Sequence, residues 1–291
     1  GNVAVFTTAP TAAITDGTSG QVLTTNGSGV LSFADAGGGA DLYIANPSSA
    51  TDPTASGTNA IAIGSSASAG GTDSFAAATS ANASGFRGVA IGPSTTASSG
   101  TAVAIGYNAN AGGSSYGGDT ALGYNAVSAG QNAVALTNSY ASGSNSFAAA
   151  ITNNTSTYGA TGASSIAIGR QNKSSSTETV AIGGNFQTAS SSYAATIGGT
   201  SNTNQGTRAI IAGGQSNTIS TAGQYGVIVG GNSNNVTGSR GVIVGGDYNE
   251  ANASHTFATG EYAKAAEIGK LARATGRFSA DGDAQGGQFI L

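Results

Sequence analysis

Ser and Thr hydroxyls are plentiful in this 291-residue chain, but a hydroxyl nucleophile needs a positioned base. The sequence offers one His, His255, within Ala253-Ser254-His255-Thr256-Phe257. No second imidazole and no Cys accompany it, so multi-His and thiolate metal sites are excluded. Gly-rich runs such as Gly213-Gly214-Gln215-Ser216-Asn217 have the flavour of phosphate loops, yet none continues into Lys-Ser/Thr as a P-loop requires. Asp281-Gly282-Asp283 sets two carboxylates around a Gly. A calcium loop of the EF-hand type needs more oxygens and a Glu at its twelfth position, so the triplet reads as a turn. Glycoside hydrolysis needs paired carboxylates, and between residues 74 and 246 the acids are Asp119 and Glu178. The expectation is no enzyme, no catalytic residues, no metal and no cofactor. Aromatic side chains are the best candidates for contact with a ligand or partner: Tyr107, Tyr116, Tyr124, Phe186 and Tyr248 fall at corners or inserted loops, where an exposed ring can anchor a contact.

Composition points the same way. Charged residues make up 8% of the chain, against roughly 25% in ordinary globular domains. Gly accounts for 48 residues, and the 38% apolar content is largely Ala. The formal net charge is −4, with no basic patch to neutralise phosphates, which disfavours nucleic acid as a partner. No apolar run approaches the ~18 residues of a spanning helix, so helical membrane insertion is not expected. The absence of Met, at position 1 as elsewhere, predicts a processed chain or an interior piece.

What the chain has instead of a catalytic constellation is periodicity. AIAIGSSASAG (60–70), VAIGPSTTASSG (89–100), VAIGYNANAG (103–112), SIAIGRQNKSSS (165–176), VAIGGNFQTAS (180–190), VIVGGNSNNVTG (227–238) and VIVGGDYNEANA (242–253) recur at 14 to 15 residues, with longer gaps at insertions such as SSYGGD (114–119). Repeats of this kind signal stacked units. The alternation in Val103-Ala104-Ile105 is a strand signal, and the following Gly106 suits a sharp corner. Each unit is then one coil of a parallel β-solenoid. The large aliphatics are expected inside: Ile63, Ile91, Val103, Ile105, Leu122, Leu136, Ile168, Ile182, Ile197, Val229 and Val244. The corners are expected at Gly64, Gly92, Gly106, Gly123, Gly169, Gly183, Gly198, Gly213, Gly230 and Gly245. Ala62, Ala90, Ala104, Ala167 and Ala181 would then face outward and allow close approach of another chain.

From residue 180 the corner changes to Gly-Gly-x-x-Asn, with Asn202, Asn217, Asn234 and Asn249 in register. Asn tolerates left-handed backbone and bonds its own turn, and stacked Asn could form a ladder. Residues 261–276 contain strong helix formers, but Ile268-Gly269-Lys270-Leu271-Ala272-Arg273-Ala274 matches Ile63-Gly64-Ser65-Ser66-Ala67-Ser68-Ala69, which predicts a short final rung. Nine charged residues fall in 250–283, as expected of a polar terminal repeat. The predicted organisation is a hairpin and linker segment over 1–57, with VLTTNGSGVLSF turning at Asn26-Gly27 and a joint at Gly37-Gly38-Gly39; repeats over 58–277; and the start of a further, truncated β element over 278–291.

The Ile-Gly-x-x-Ala-x-Ala repeat over roughly 60–277 resembles the head repeat of trimeric autotransporter adhesins, the YadA-like head. The resemblance implies an all-β, left-handed parallel β-roll, homotrimeric and fibrous. The flanks GQVLTTNGSGVLSF (20–33) and ATGRFSADGDAQGGQFIL (274–291) resemble segments of bacteriophage tail fibres, those of marine phages for the second. Together these resemblances imply a virion fibre that spaces and attaches. Its partners would be its own copies, other tail or fibre proteins, and a host cell-surface glycan or protein. A bacterial surface adhesin or extracellular filament with the same roll is the alternative.

Overall fold

The computed structural model describes residues 21–25, 28, 31–35, 51–113, 117–152 and 157–289. The chain forms two compact units, Gly1–Asn46 and Pro47–Leu291. In the first, Gln21–Thr25 pairs antiparallel with Leu31–Asp35, Thr25 opposite Leu31, the hairpin expected there. Its Asn26-Gly27 turn and the Gly37–Gly39 joint lie outside the described residues.

The second unit is a β-solenoid. One sheet, here the front sheet, stacks sixteen strands from Ile61–Ile63 to Lys270–Thr275 and Gln285–Phe289. The back sheet stacks fifteen, from Thr54–Ala55 to Lys264–Ala265. Each neighbour lies one coil away in sequence and like pairs with like: Val103 with Val89, Ala104 with Ala90, Ile105 with Ile91. Fifteen coils at about 4.8 Å give a rise of about 70 Å. The array starts at Thr54, ahead of the expected position 58.

A coil runs through a front strand of three residues, a corner, a back strand of two and a second corner. Each corner is a tight turn, as where the Ala67 N–H donates to Gly64 O (3.1 Å) and the Ser74 N–H to Gly71 O (3.3 Å). Both corners carry a residue in left-handed backbone, such as Ser66 (φ 58°) and Asp73 (φ 55°). Small polar residues tolerate this region best.

Which face is inside reverses the expectation. The middle residue of each front strand points inward: Ala76, Ala90, Ala104, Ala121 and Ala135 are buried, opposite Ala83, Ala97 and Ala111 of the back sheet. The eleven residues expected in the core, Ile63, Ile91, Val103, Ile105, Leu122, Leu136, Ile168, Ile182, Ile197, Val229 and Val244, all lie on the outer face. Ala104 is 0% exposed and its neighbour Ile105 39%. The reason is coil size. Fourteen residues, most of them spent on two corners, bring the sheets too close for more than Ala or Ser between them. Larger interior residues, Ile211, Ile219, Ile228, Val236 and Ile243, cluster in the later, longer coils, while Ile151 is buried among the Ala of the earlier ones. A Cβ on Gly206 or Gly223 would lie 2.8 or 2.7 Å from Ile219 Cγ2.

Eight of the ten expected corner Gly have positive φ, from Gly64 (110°) to Gly213 (148°). Gly230 and Gly245 do not; in those coils the left-handed Gly is the next one, Gly231 and Gly246 (both φ 90°). In the other Gly-Gly corners, 183–184, 198–199 and 213–214, both Gly have positive φ, so the second Gly is the left-handed position common to all of them. Ala78 (φ 99°) and Ala150 (φ 56°) occupy corner-Gly slots, where an L side chain is strained.

The final rung forms as strands, but in a different register. Leu271-Ala272-Arg273 pairs with Phe257-Ala258-Thr259, so Ile268-Gly269 belongs to the preceding corner and Ile268 is exposed. Inward-pointing Ala272 and Ala274 continue the interior column in this register, Ala272 stacking on Ala258. Gln285–Phe289 then closes the front sheet antiparallel to Lys270–Thr275. The Gln285 carboxamide stands in for another coil on the back sheet: Lys264 N–H donates to Oε1 (2.7 Å), and Nε2 donates to Lys264 O (2.9 Å).

Candidate functional surface

Hydrogen bonding across coils fixes the surface that the solenoid presents. In the later coils an Asn ladder does this from inside. Asn217 Oδ1 accepts the Asn234 N–H (3.0 Å), while its Nδ2 donates to Gly213 O in its own corner (3.1 Å) and Gly231 O in the next (3.0 Å). Asn202, Asn234 and Asn249 repeat the pattern, and Asn172 begins it. These Asn are buried and do not occupy the left-handed position expected of them. That position falls to the preceding residue, Ser201, Ser216, Ser233 or Tyr248. The side chain is thereby free to span two coils. Gln187 fills the Asn slot in one rung, and its buried Oε1 has no partner.

The outer face of the front sheet is an apolar strip. Each coil contributes the first and third strand residues, so Ile61, Ile91, Ile105, Ile197, Val229, Val244 and Leu271 are exposed in columns, with half-buried Phe75, Val89, Val103 and Val134 beside them. A strip about 70 Å by about 10 Å amounts to roughly 700 Å². That exceeds the ~300–600 Å² of the largest patch on a typical monomer and approaches the ~800 Å² that each partner buries in a standard interface.

The corners carry the polar and aromatic side chains. Tyr107 and Tyr124 stack with centroids 5.6 Å apart, beside the Asn108 Nδ2 bond to Asn125 Oδ1 (2.8 Å). Tyr248 stacks on Tyr262 at 5.0 Å, and the Arg170 guanidinium lies 5.5 Å from the Phe186 ring. All the expected contact aromatics are therefore at corners except Tyr116, which lies outside the described residues. Composition alone did not reveal a run on the opposite corner: Tyr193, Arg208, Tyr225 and Arg240 occupy the same left-handed slot of four successive coils. Arg208 lies 4.9 Å from the Tyr193 ring and 5.8 Å from the Tyr225 ring, and Arg240 lies 5.2 Å from the Tyr225 ring.

Among the described residues the candidate catalytic groups lie apart from one another. His255 is an exposed corner residue (φ 59°). Asp119 is buried, accepting from Ser99 Oγ (2.7 Å) and the Gly113 N–H (3.1 Å), far along the chain from any second acid. Among the described residues no group of three or more His, Cys, Asp or Glu could hold a metal. Asp281 and Asp283 both have partners within the terminal turn. Asp281 Oδ1 pairs with Arg277 (2.7 Å). Asp283 accepts the N–H groups of Phe278 (2.8 Å), Ser279 (2.5 Å) and Ala280 (2.7 Å). These backbone donors, Ala280 foremost, hold its carboxyl below the ordinary aspartate range.

The YadA head domain repeat family model matches residues 55–77, 83–113, 118–136 and 160–185, in two copies. These segments are similar to YadA head repeats, and all end before the coils in which Asn202, Asn217, Asn234 and Asn249 form the ladder. A search of curated proteins returned no match.

Proposed function

We propose that the chain is a non-enzymatic, homotrimeric fibre segment of a bacteriophage tail fibre, serving as a stiff spacer that also touches the host surface. The observation that carries the mechanical part is the apolar strip along the front sheet. Most coils enclose little more than Ala, so a single chain has a thin core. Packing three strips about a common axis would add a second, larger apolar core between the chains. Similarity to YadA head repeats supports both self-association and display at a surface. The flanking segments around residues 20–33 and 274–291 support the tail-fibre assignment, with other virion tail proteins as neighbours.

The repeat match itself favours a second reading, a bacterial surface adhesin or extracellular filament on the same roll. Immunogold electron microscopy with antibody to this chain separates the two. Gold on fibres projecting from tailed particles is expected. Gold on cell envelopes or free filaments would replace the virion assignment with the adhesin one.

A further inference from the structure

We propose that the Tyr193–Arg208–Tyr225–Arg240 corner is a binding ladder for an extended acidic polysaccharide carrying one carboxylate on every second sugar. This deepens the surface-fibre reading and rests on it. Stacking on aromatic faces leaves the planar edge of a guanidinium, with its N–H donors, free to meet an acceptor. Arg208 is held between Tyr193 and Tyr225, with its Nη1 also donating to the Tyr225 hydroxyl (3.4 Å), which leaves its other N–H donors for a ligand, and Arg240 lies against Tyr225. The exposed Tyr193 and Tyr225 keep both forks oriented before any ligand arrives, which lowers the ordering cost of binding.

Charge and spacing point to the ligand. The ion pairs found among the described residues involve Arg87, Lys264, Lys270 and Arg277. Arg208 and Arg240 are in none of them, so both have charge to offer a carboxylate, whose planar geometry matches the guanidinium fork. They stand two coils apart, about 9.6 Å, close to the length of two linked pyranose rings. Thr207, Gln224 and Ser239 precede the ladder residues; Ser239 Oγ donates to Gln224 O (3.3 Å), and the exposed Gln224 sets an amide beside the ladder for sugar hydroxyls. A polyphosphate such as DNA fits less well, because two cations in a chain of net charge −4 make a weak counter to continuous backbone charge.

The test is surface plasmon resonance on the immobilised full chain. The probes are hyaluronan, with alternate carboxylated sugars, neutral dextran, and double-stranded DNA. Binding of hyaluronan that weakens with salt is expected. The double variant R208Q/R240Q should weaken it at least 10-fold, while R170Q, outside the ladder, should leave it within 2-fold. Equal binding of dextran, equal or tighter binding of DNA, no hyaluronan binding, or an unaffected double variant would each overturn the proposal. The mass of the assembly, measured on the same samples by sedimentation, reports the fibre reading separately. A trimer that ignores hyaluronan sinks only the ladder. A monomer sinks the trimeric fibre.

Discussion

Replacing Gly106 with Val tests the corner geometry most sharply. Gly106 has φ +135°, and a Cβ built there would lie 2.4 Å from Gly123 O, 2.7 Å from its carbonyl carbon and 2.9 Å from its Cα. All three are backbone atoms of the next coil, which cannot yield without separating two hydrogen-bonded rungs. Holding a β-branched residue in that region costs about 1–3 kcal/mol, and overpacking adds about 1–3 kcal/mol. The sum, about 2–6 kcal/mol, corresponds to a fall in Tm on the order of 10 °C for a unit of this size. Gly245 is the control: its backbone is outside the left-handed region and nothing lies within 4 Å of a Cβ there, so Gly245→Val should stay within ~0.5 kcal/mol of the parent. Thermal melts followed by circular dichroism measure both. A Gly106→Val melt within a degree or two of the parent, or equal damage from Gly245→Val, would mean that Gly106 is not a sterically closed corner.

Other substitutions probe the interior, the outer face and the terminal turn. Gln187→Asn should give the buried rung the Asn geometry and remove the orphaned Oε1, raising stability by about 1 kcal/mol in denaturant melts; no gain would mean the ladder is not cohesive. Ala104→Leu, at a fully buried site, should cost about 1–3 kcal/mol by overpacking. Ile105→Ser should instead leave the β signal of the coil intact and weaken self-association, as read by sedimentation; the reverse pattern would restore the opposite face assignment. Asp283, whose pKa is depressed when folded, contributes stability that is present above its unfolded pKa and lost as pH falls through the lower folded value. Amide NMR shifts of Phe278, Ser279 and Ala280 should therefore titrate together below the ordinary aspartate range, and Asp283→Asn should abolish that step.

The solenoid was legible because its signals are local and repeated. Val103-Ala104-Ile105 alternates as a strand must, Gly106 marks the corner, and stacking in register follows from the period. The side of the strand that faces inward was not legible from alternation, since either parity satisfies it. Coil size decides that, and it seals Ala104 in while leaving Ile105 outside. The final rung took the Leu271-Ala272-Arg273 register, which stacks Ala272 on Ala258, a pairing that exists only once the coils stack. Asn217 was noticed by its spacing, but its role depends on bonds to Gly213, Gly231 and Asn234, partners that exist only once coils stack. The Tyr193–Arg208–Tyr225–Arg240 ladder escaped notice because unequal coil lengths of 15 and 17 residues hide the common slot.

Sedimentation equilibrium of the full chain tests the central claim that the outer aliphatic strip is an association face. A single species of three times the 27.7 kDa chain mass is expected, shifted toward smaller species by serine substitutions at Ile91 and Ile105. A stable, well-folded 27.7 kDa monomer would contradict it.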